Sequence, residues 1–300
     1  MNDLERKIKL LAKSTKLDNR MIAEHVGCSE RSARRYAGDW KKRVHANIRP
    51  GDFTGQDRKA FIFFDPHIPY HNPKVYDIAM QYAQDWGPDD VIIGGDFVDF
   101  KDVSNWKDDP RRMGFKQEVD VARGMLGDLR GSFPHAKIYY LEGNHEHRLA
   151  RYTWMKSPEL CDLPELAVPQ MLRLDSFDIE YVSNVERMNN DILPFKLGKL
   201  FVLHGHEVNL SSGTVNLART CYLKTHCNVI FGHHHQSQHF IFKKLDNTHE
   251  GAWAVGGLCK LSESYQPTTN WINGFCTLKY NPITGYFKVR NKLIINGQIL

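Results

Sequence analysis

Five short apolar runs punctuate the chain at 60–64, 91–93, 137–141, 200–203 and 228–231, and each is cut off by a polar cluster. Their length and their richness in β-branched and aromatic residues predict buried strands. Amphipathic stretches over 73–86, 116–131, 145–156 and 213–226 predict helices between them. Further on, 240–242, 252–255, 275–278 and 286–289 are β-rich, and Asn281-Pro282 and Thr284-Gly285 mark a turn between the last two. The order predicts an α/β domain with a pair of sheets inside and helices outside. No internal repeat or low-complexity tract interrupts it.

The first fifty residues follow a different pattern. Leu4, Ile8 and Leu11 recur at helical spacing, predicting a helix over 3–14. Asp18 is placed to cap a second helix with Ile22, Ala23 and Val26 inward, Gly27 supplies a turn, and Ser29 caps a third. That third helix buries Ala33, Tyr36 and Trp40 and leaves Arg31, Arg34 and Arg35 outside, with Lys41 and Lys42 continuing the charge. The pattern resembles a helix-turn-helix, whose second helix enters the major groove. A solvated three-helix cap, with its arginines serving solubility, is the alternative. The expected organisation is a nucleic-acid-binding domain over 1–45, a linker over 46–58 containing Pro50, Gly51 and Gly55, and a larger domain over 59–300.

Charge sharpens this division. The 300 residues carry a net +5, but residues 1–50 hold thirteen Lys/Arg against six Asp/Glu, a net +7, so the remainder is slightly acidic. An isolated basic block points to an acidic partner, nucleic acid and DNA above all. No run approaches the ~18 apolar residues of a membrane span. The start of the chain lacks the apolar centre of a secretory signal, and the six cysteines form no Cys-x-x-Cys pair or disulfide framework. A reduced cytoplasm is the expected compartment.

The polar clusters that end the strands carry the chemistry. They are Asp65-Pro66-His67, Gly95-Asp96-Phe97-Val98-Asp99, Gly143-Asn144-His145-Glu146, His204-Gly205 and Gly232-His233-His234-His235. Carboxylates, imidazoles and an amide oxygen without thiolates suit hard or borderline divalent cations. One carboxylate, such as Asp96, can bridge two ions. Paired ions roughly 3.5–4 Å apart clamp the attacking and leaving oxygens of a phosphoryl group and acidify bound water. A histidine nearby but not metal-bound would serve as acid for the leaving oxygen.

This ordered set resembles the calcineurin-like metallophosphoesterase superfamily, over roughly residues 60–236. The resemblance implies a four-layer α/β/β/α sandwich and two divalent ions, manganese first, with iron, zinc, nickel or magnesium as alternatives. It implies Asp65, His67, Asp96 and His235 around the first metal, and Asp96, Asn144, His204 and His233 around the second. It further implies a metal-bridging hydroxide as nucleophile, His145 as proton donor, and Asp99 as the acid that orients His145. His206, two residues after His204, stands as the alternative ligand if the strand register differs.

One departure points to a substrate. The phosphatase branch follows its second motif with Asp-Arg-Gly, and that arginine grips a phosphomonoester. Here Phe100-Lys101 follow Val98-Asp99, and a lysine cannot make the bidentate fork. The expected activity is therefore phosphodiester hydrolysis, a nuclease acting on DNA, and the fusion resembles phage or mobile-element proteins. A phosphomonoesterase, or a DNA-binding regulator with a structural metal site, are the rival readings. Arg148 and Arg151 face phosphate or form an exposed helix face. The basic-aromatic stretch 106–112 is a strand-holding loop or a solvated turn. His234 is expected to point away, and His226 and His239 to be structural.

Overall fold

The computed structural model describes residues 57–105, 113–211, 213–262 and 269–300. The helix-turn-helix over 1–45 with Arg31, Arg34, Arg35, Lys41 and Lys42, nearly all of the linker, and the stretch 106–112 lie outside the described residues. Chain contacts form two units: Arg58–Tyr280 with Phe287–Leu300 is one, and Met1–Asp57 with Asn281–Tyr286 the other. Of the second unit, the turn Asn281–Tyr286 is described. There Asn281 Oδ1 accepts from the backbone N–H groups of Ile283 and Thr284 at 3.0 and 2.9 Å, the Asx geometry that the Asn-Pro signal predicts.

In the larger unit, four parallel strands lie side by side: β1 (Arg58–Phe63), β2 (Asp90–Ile93), β3 (Lys137–Leu141) and β4 (Ile179–Val182). A second sheet takes β5 (Lys196–Leu197), β6 (Leu200–Val202), β7 (Val229–Phe231), β8 (Gln238–Lys243) and β9 (His249–Ala254) in the order β5-β6-β7-β9-β8. The chain then returns to the first sheet with β10 (Gly274–Tyr280), β11 (Phe287–Ile295) and β12 (Gln298–Ile299), giving the order β12-β11-β10-β1-β2-β3-β4.

The alternation of side chains along β1 sets the layering. Phe61 and Phe63 face a core shared with α1 (Pro73–Trp86) and α2 (Phe115–Ser132), through Val75, Ala79, Val119 and Leu126. Ala60 and Ile62 face the opposite way, onto a second core with Leu200, Val202 and Ile230 of the other sheet. A third core joins the outer face of that sheet, through Val229 and Phe231, to Leu217, Ala218 and Cys221 of the helix Leu217–Thr225. Helix, sheet, sheet and helix are the four layers that the resemblance implies.

The remaining helices are α3 (Glu146–Lys156), α4 (Val168–Met171) and α5 (Asn184–Asn189), which makes Leu217–Thr225 α6. Local chemistry accounts for the ends of α1: Asn72 caps it by accepting from Val75 N–H at 3.3 Å, Pro73 opens it, and Gly87 closes it in the left-handed region. α6 starts four residues later than its apolar pattern predicts. Ser211 and Thr214 hydroxyls hydrogen-bond at 2.8 Å there, holding a turn in place of a helical start. In α3 only Glu146 and Leu149 are buried, so most of that helix faces water.

Candidate metal centre

Parallel register brings the carboxyl ends of β1, β2 and β3 to one edge, and β6 and β7 end at a common edge of the second sheet. The five polar clusters occupy the loops just beyond. Hydrogen bonds stitch the loops across the two sheets: Asp65 Oδ2 accepts from His233 N–H at 2.9 Å, and the His204 ring contacts Gly94 O at 3.0 Å. Asp65, His67, Asp96, His233 and His235 all have φ between 49° and 65°. A non-glycine residue in that region costs on the order of 1 kcal/mol or more, and such residues concentrate at functional sites. Here Asp65 N–H to Gly95 O at 3.2 Å and His67 N–H to Asp96 O at 3.0 Å hold the turns.

Three donor groups that could hold a metal ion lie here among the described residues: Asp65–His67–His235, Asp96–His204–His233, and His67–Asp99–His145, which shares His67 with the first. In the first, His67 Nε2 and His235 Nε2 lie 3.2 Å apart, with Asp65 Oδ1 at 4.0 and 3.6 Å from them. Asp65 Oδ1 is buried and has no hydrogen-bond partner, a costly arrangement unless a cation sits against it. In the second, His204 Nε2 lies 3.2 Å from each of Asp96 Oδ2, His233 Nδ1 and Asn144 Oδ1. Because His204 Nδ1 donates to Gly94 O, Nε2 is the nitrogen that faces inward, as in an imidazole that could ligate a metal on giving up its Nε2 proton. Asp96 Oδ2 is also 3.8 Å from His67 Nε2, so it adjoins both groups. Oxygen and nitrogen donors, crowded lone pairs and an orphaned carboxylate oxygen together fit divalent cations.

Electrostatics agree with this reading. Burial opposes charge on Asp96, yet His145 and His204 outweigh it and hold the carboxyl well below its usual range. Burial depresses His204 too, but Asp96 raises it to about 10. His233, beside it, is pushed down to about 3 by burial and by His204. Two rings at 3.2 Å with opposite shifts share a single positive charge, the place a cation would take.

Next to the donor groups stands a second constellation. Asp99 Oδ1 is 3.0 Å from His145 Nδ1 and 3.2 Å from His67 Nδ1, so one carboxylate orients both rings. The Asp99–His145 pair is the one the resemblance implies, while the link to His67 goes beyond it. Arg148 donates to Asp99 O at 2.7 Å and its Nη2 lies 2.8 Å from His145 Nε2. A guanidinium only donates, so this contact is a hydrogen bond only while Nε2 of His145 carries no proton. Burial in turn lowers the pKa of His145. His67, Asp96, Asp99, Lys101, His145 and Arg148 help line a cavity of about 190 Å³.

Two carboxylates given no role by the sequence reading hold this machinery in place. Glu146, fully buried, accepts backbone N–H bonds from Asp96 (3.0 Å), Phe97 (2.9 Å) and Gly143 (2.8 Å), and the Tyr140 hydroxyl at 2.7 Å. Burial and the charge of Asp96 raise its pKa to about 7. Glu207 does the same for another loop, accepting from His204 N–H at 3.1 Å and Gly205 N–H at 2.7 Å. Their only sequence signal is an acid one and three residues after a motif histidine.

The other candidates fall as follows. The His206 ring lies 5.4 Å from that of His204, with Nδ1 3.5 Å from Glu207, and it belongs to neither donor group. His234 packs against the His233 ring at 4.9 Å and does not line the cavity. His226 caps α6, and His239 is exposed on β8. Arg148 reaches the cavity and Arg151 stays on the helix surface.

No family model matches the chain. The Gene 54 protein of Mycobacterium phage L5 is 24% identical over 237 residues, covering 74% of this chain and 88% of its own length. The Gene 54 protein of Mycobacterium phage D29 is 22% identical over 242 residues, covering 73% and 87%. Among solved structures, Vps29 of Entamoeba histolytica complexed with zinc has a TM-score of 0.40 at 12% identity, over 81% of this chain and 96% of that one. YfcE, a phosphoesterase from E. coli, has a TM-score of 0.34 at 14% identity, over 78% and 97%.

Proposed function

We propose that this chain, which has the four-layer fold and the five ordered motifs of a calcineurin-like metallophosphoesterase, is a two-metal phosphodiesterase that cleaves DNA. The observation that carries this reading is the set of groups around one cavity: two donor groups adjoining Asp96, an oriented His145, and a second motif with no arginine. The arginine that grips a phosphomonoester in the phosphatase branch is absent after Asp99, and the guanidinium of Arg148, which lines the cavity, is engaged with Asp99 O and the His145 ring. The phage relatives are in keeping with work in a host cytoplasm.

Asp65, His67, Asp96 and His235 would hold one cation and Asp96, Asn144, His204 and His233 the other. Bound there, divalent ions supply Lewis acidity and a more acidic water. The chain's own residues do the rest. Asp99 fixes Nδ1 of His145, so Nε2 is the nitrogen that, once Arg148 has left it, takes up a proton from water and passes it to the leaving oxygen. Arg148 occupies that nitrogen at rest and turns to a phosphate oxygen when substrate enters. The helix-turn-helix read over 1–45 brings the DNA.

The test is manganese-loaded protein with end-labelled single- and double-stranded DNA, with p-nitrophenyl phosphate alongside and an Asp96→Asn control. Metal-dependent DNA cleavage, falling at least about a hundredfold in the control, is expected. Intact DNA with monoester turnover would make the protein a phosphomonoesterase. Inertness towards both would favour a narrow, different substrate or the regulator.

A further inference from the structure

We propose that the exposed face of α3 is a binding subsite for the nucleotide next to the scissile phosphate, and that the nucleic acid is bound there as a single strand. This rests on the nuclease reading and names the form of its substrate. A second cavity, also about 190 Å³, is lined by Ser104, Asn105, Asn144, Arg148, Arg151 and Tyr152 among others. Asn144 is among the residues that would hold a metal, and Arg148 lines the first cavity as well, so the two cavities meet at Arg148.

The chemistry of α3 suits a nucleotide. Arg148, Arg151 and Tyr152 stand at i, i+3 and i+4, on one side of the helix. The one acid of α3, Glu146, is turned inward onto backbone N–H groups, which leaves the positive charge of that face uncompensated within the helix. Arg151 has no carboxylate partner among the described residues. Tyr152 is 41% exposed, a large ring that the fold does not bury. Guanidinium groups spaced along a groove fit successive phosphates, and an exposed aromatic face beside them fits a base stacked on it. A base inside a duplex cannot reach such a ring, so the strand must be unpaired locally.

The experiment measures kcat/KM of the manganese-loaded full chain on thymidine dinucleotide, trinucleotide and hexanucleotide, with bis(p-nitrophenyl) phosphate as a diester without bases. In the wild type, efficiency rises about tenfold or more from dinucleotide to hexanucleotide as a further base and phosphate reach α3. Arg151→Ala and Tyr152→Ala each flatten most of that rise, and Tyr152→Phe, which keeps the stacking face, retains it. Variants that keep the wild-type length dependence would overturn the subsite, as would variants losing every length equally, the mark of a merely structural role. A wild type that hydrolyses the small diester but no oligonucleotide would instead sink the nuclease reading and the subsite with it.

Discussion

Two buried glutamates, Glu146 and Glu118, hold backbone in place, and their energetics can be tested one residue at a time. Glu146 gathers N–H groups from the loops after β2 and β3, the two that carry Asp96 and Asn144. Glu146→Ala would strand several buried donors at about 1–3 kcal/mol each, so a loss on the order of 3–5 kcal/mol is expected. Urea unfolding should show a lower midpoint, and titration calorimetry a weaker manganese affinity; an unchanged midpoint would refute the anchoring role. Glu118 makes a separate case. It is buried with its carboxylate accepting from Phe100 N–H, and burial, first among the causes, raises its pKa from 4.5 to about 8. A folded pKa above the unfolded one contributes stability that is full below about pH 4.5 and lost as pH rises through about 8. The slope is at most about 1.4 kcal/mol per pH unit. Glu118→Gln cannot ionise, so its melting temperature should gain on the wild type across that window. Calorimetry at several pH values checks this, and a gap independent of pH would contradict it.

Among the elements, those that position the site were the more legible in sequence. β3 and α1 match their predicted spans, and each of the five clusters sits just beyond a strand end, because near-continuous apolar runs bounded by polar residues leave little ambiguity about burial. The first turn predicted for α6 does not form because a side-chain hydrogen bond between Ser211 and Thr214, invisible to hydrophobic periodicity, holds a turn there. β4 carries no strand signal in the sequence, because only Ile179 and Val182 of its four residues are buried. At the site, the residue types and their order reveal the donor groups, but not how tightly the loops pack. A Cβ on Gly94 or Gly232 would fall 2.1 or 2.5 Å from the Phe64 ring, so two strand ends close over the aromatic side chain just before Asp65. Glu146 and Glu207 escaped for a related reason: an acid beside a motif looks the same in sequence whether it faces solvent or gathers N–H groups.

Over the whole molecule, the distribution of charge divides the work. Residues 1–50 carry a net +7 while the rest is slightly acidic, so non-specific attraction to DNA would have to come from the basic block or from local faces such as that of α3. Each phosphate neutralised on duplex DNA contributes about 0.9 to the slope of log affinity against log salt. If Arg31, Arg34 and Arg35 lie along a groove-facing helix, replacing all three by alanine in the full chain should lower that slope by roughly two to three. Fluorescence anisotropy with a labelled duplex, titrated from about 50 to 200 mM salt, measures it. The same titration with an unpaired strand should show a smaller change, since α3 offers that strand contacts of its own. A slope equal to the wild type's on duplex would assign those arginines to solubility, and duplex DNA would then have to be held by the catalytic domain itself.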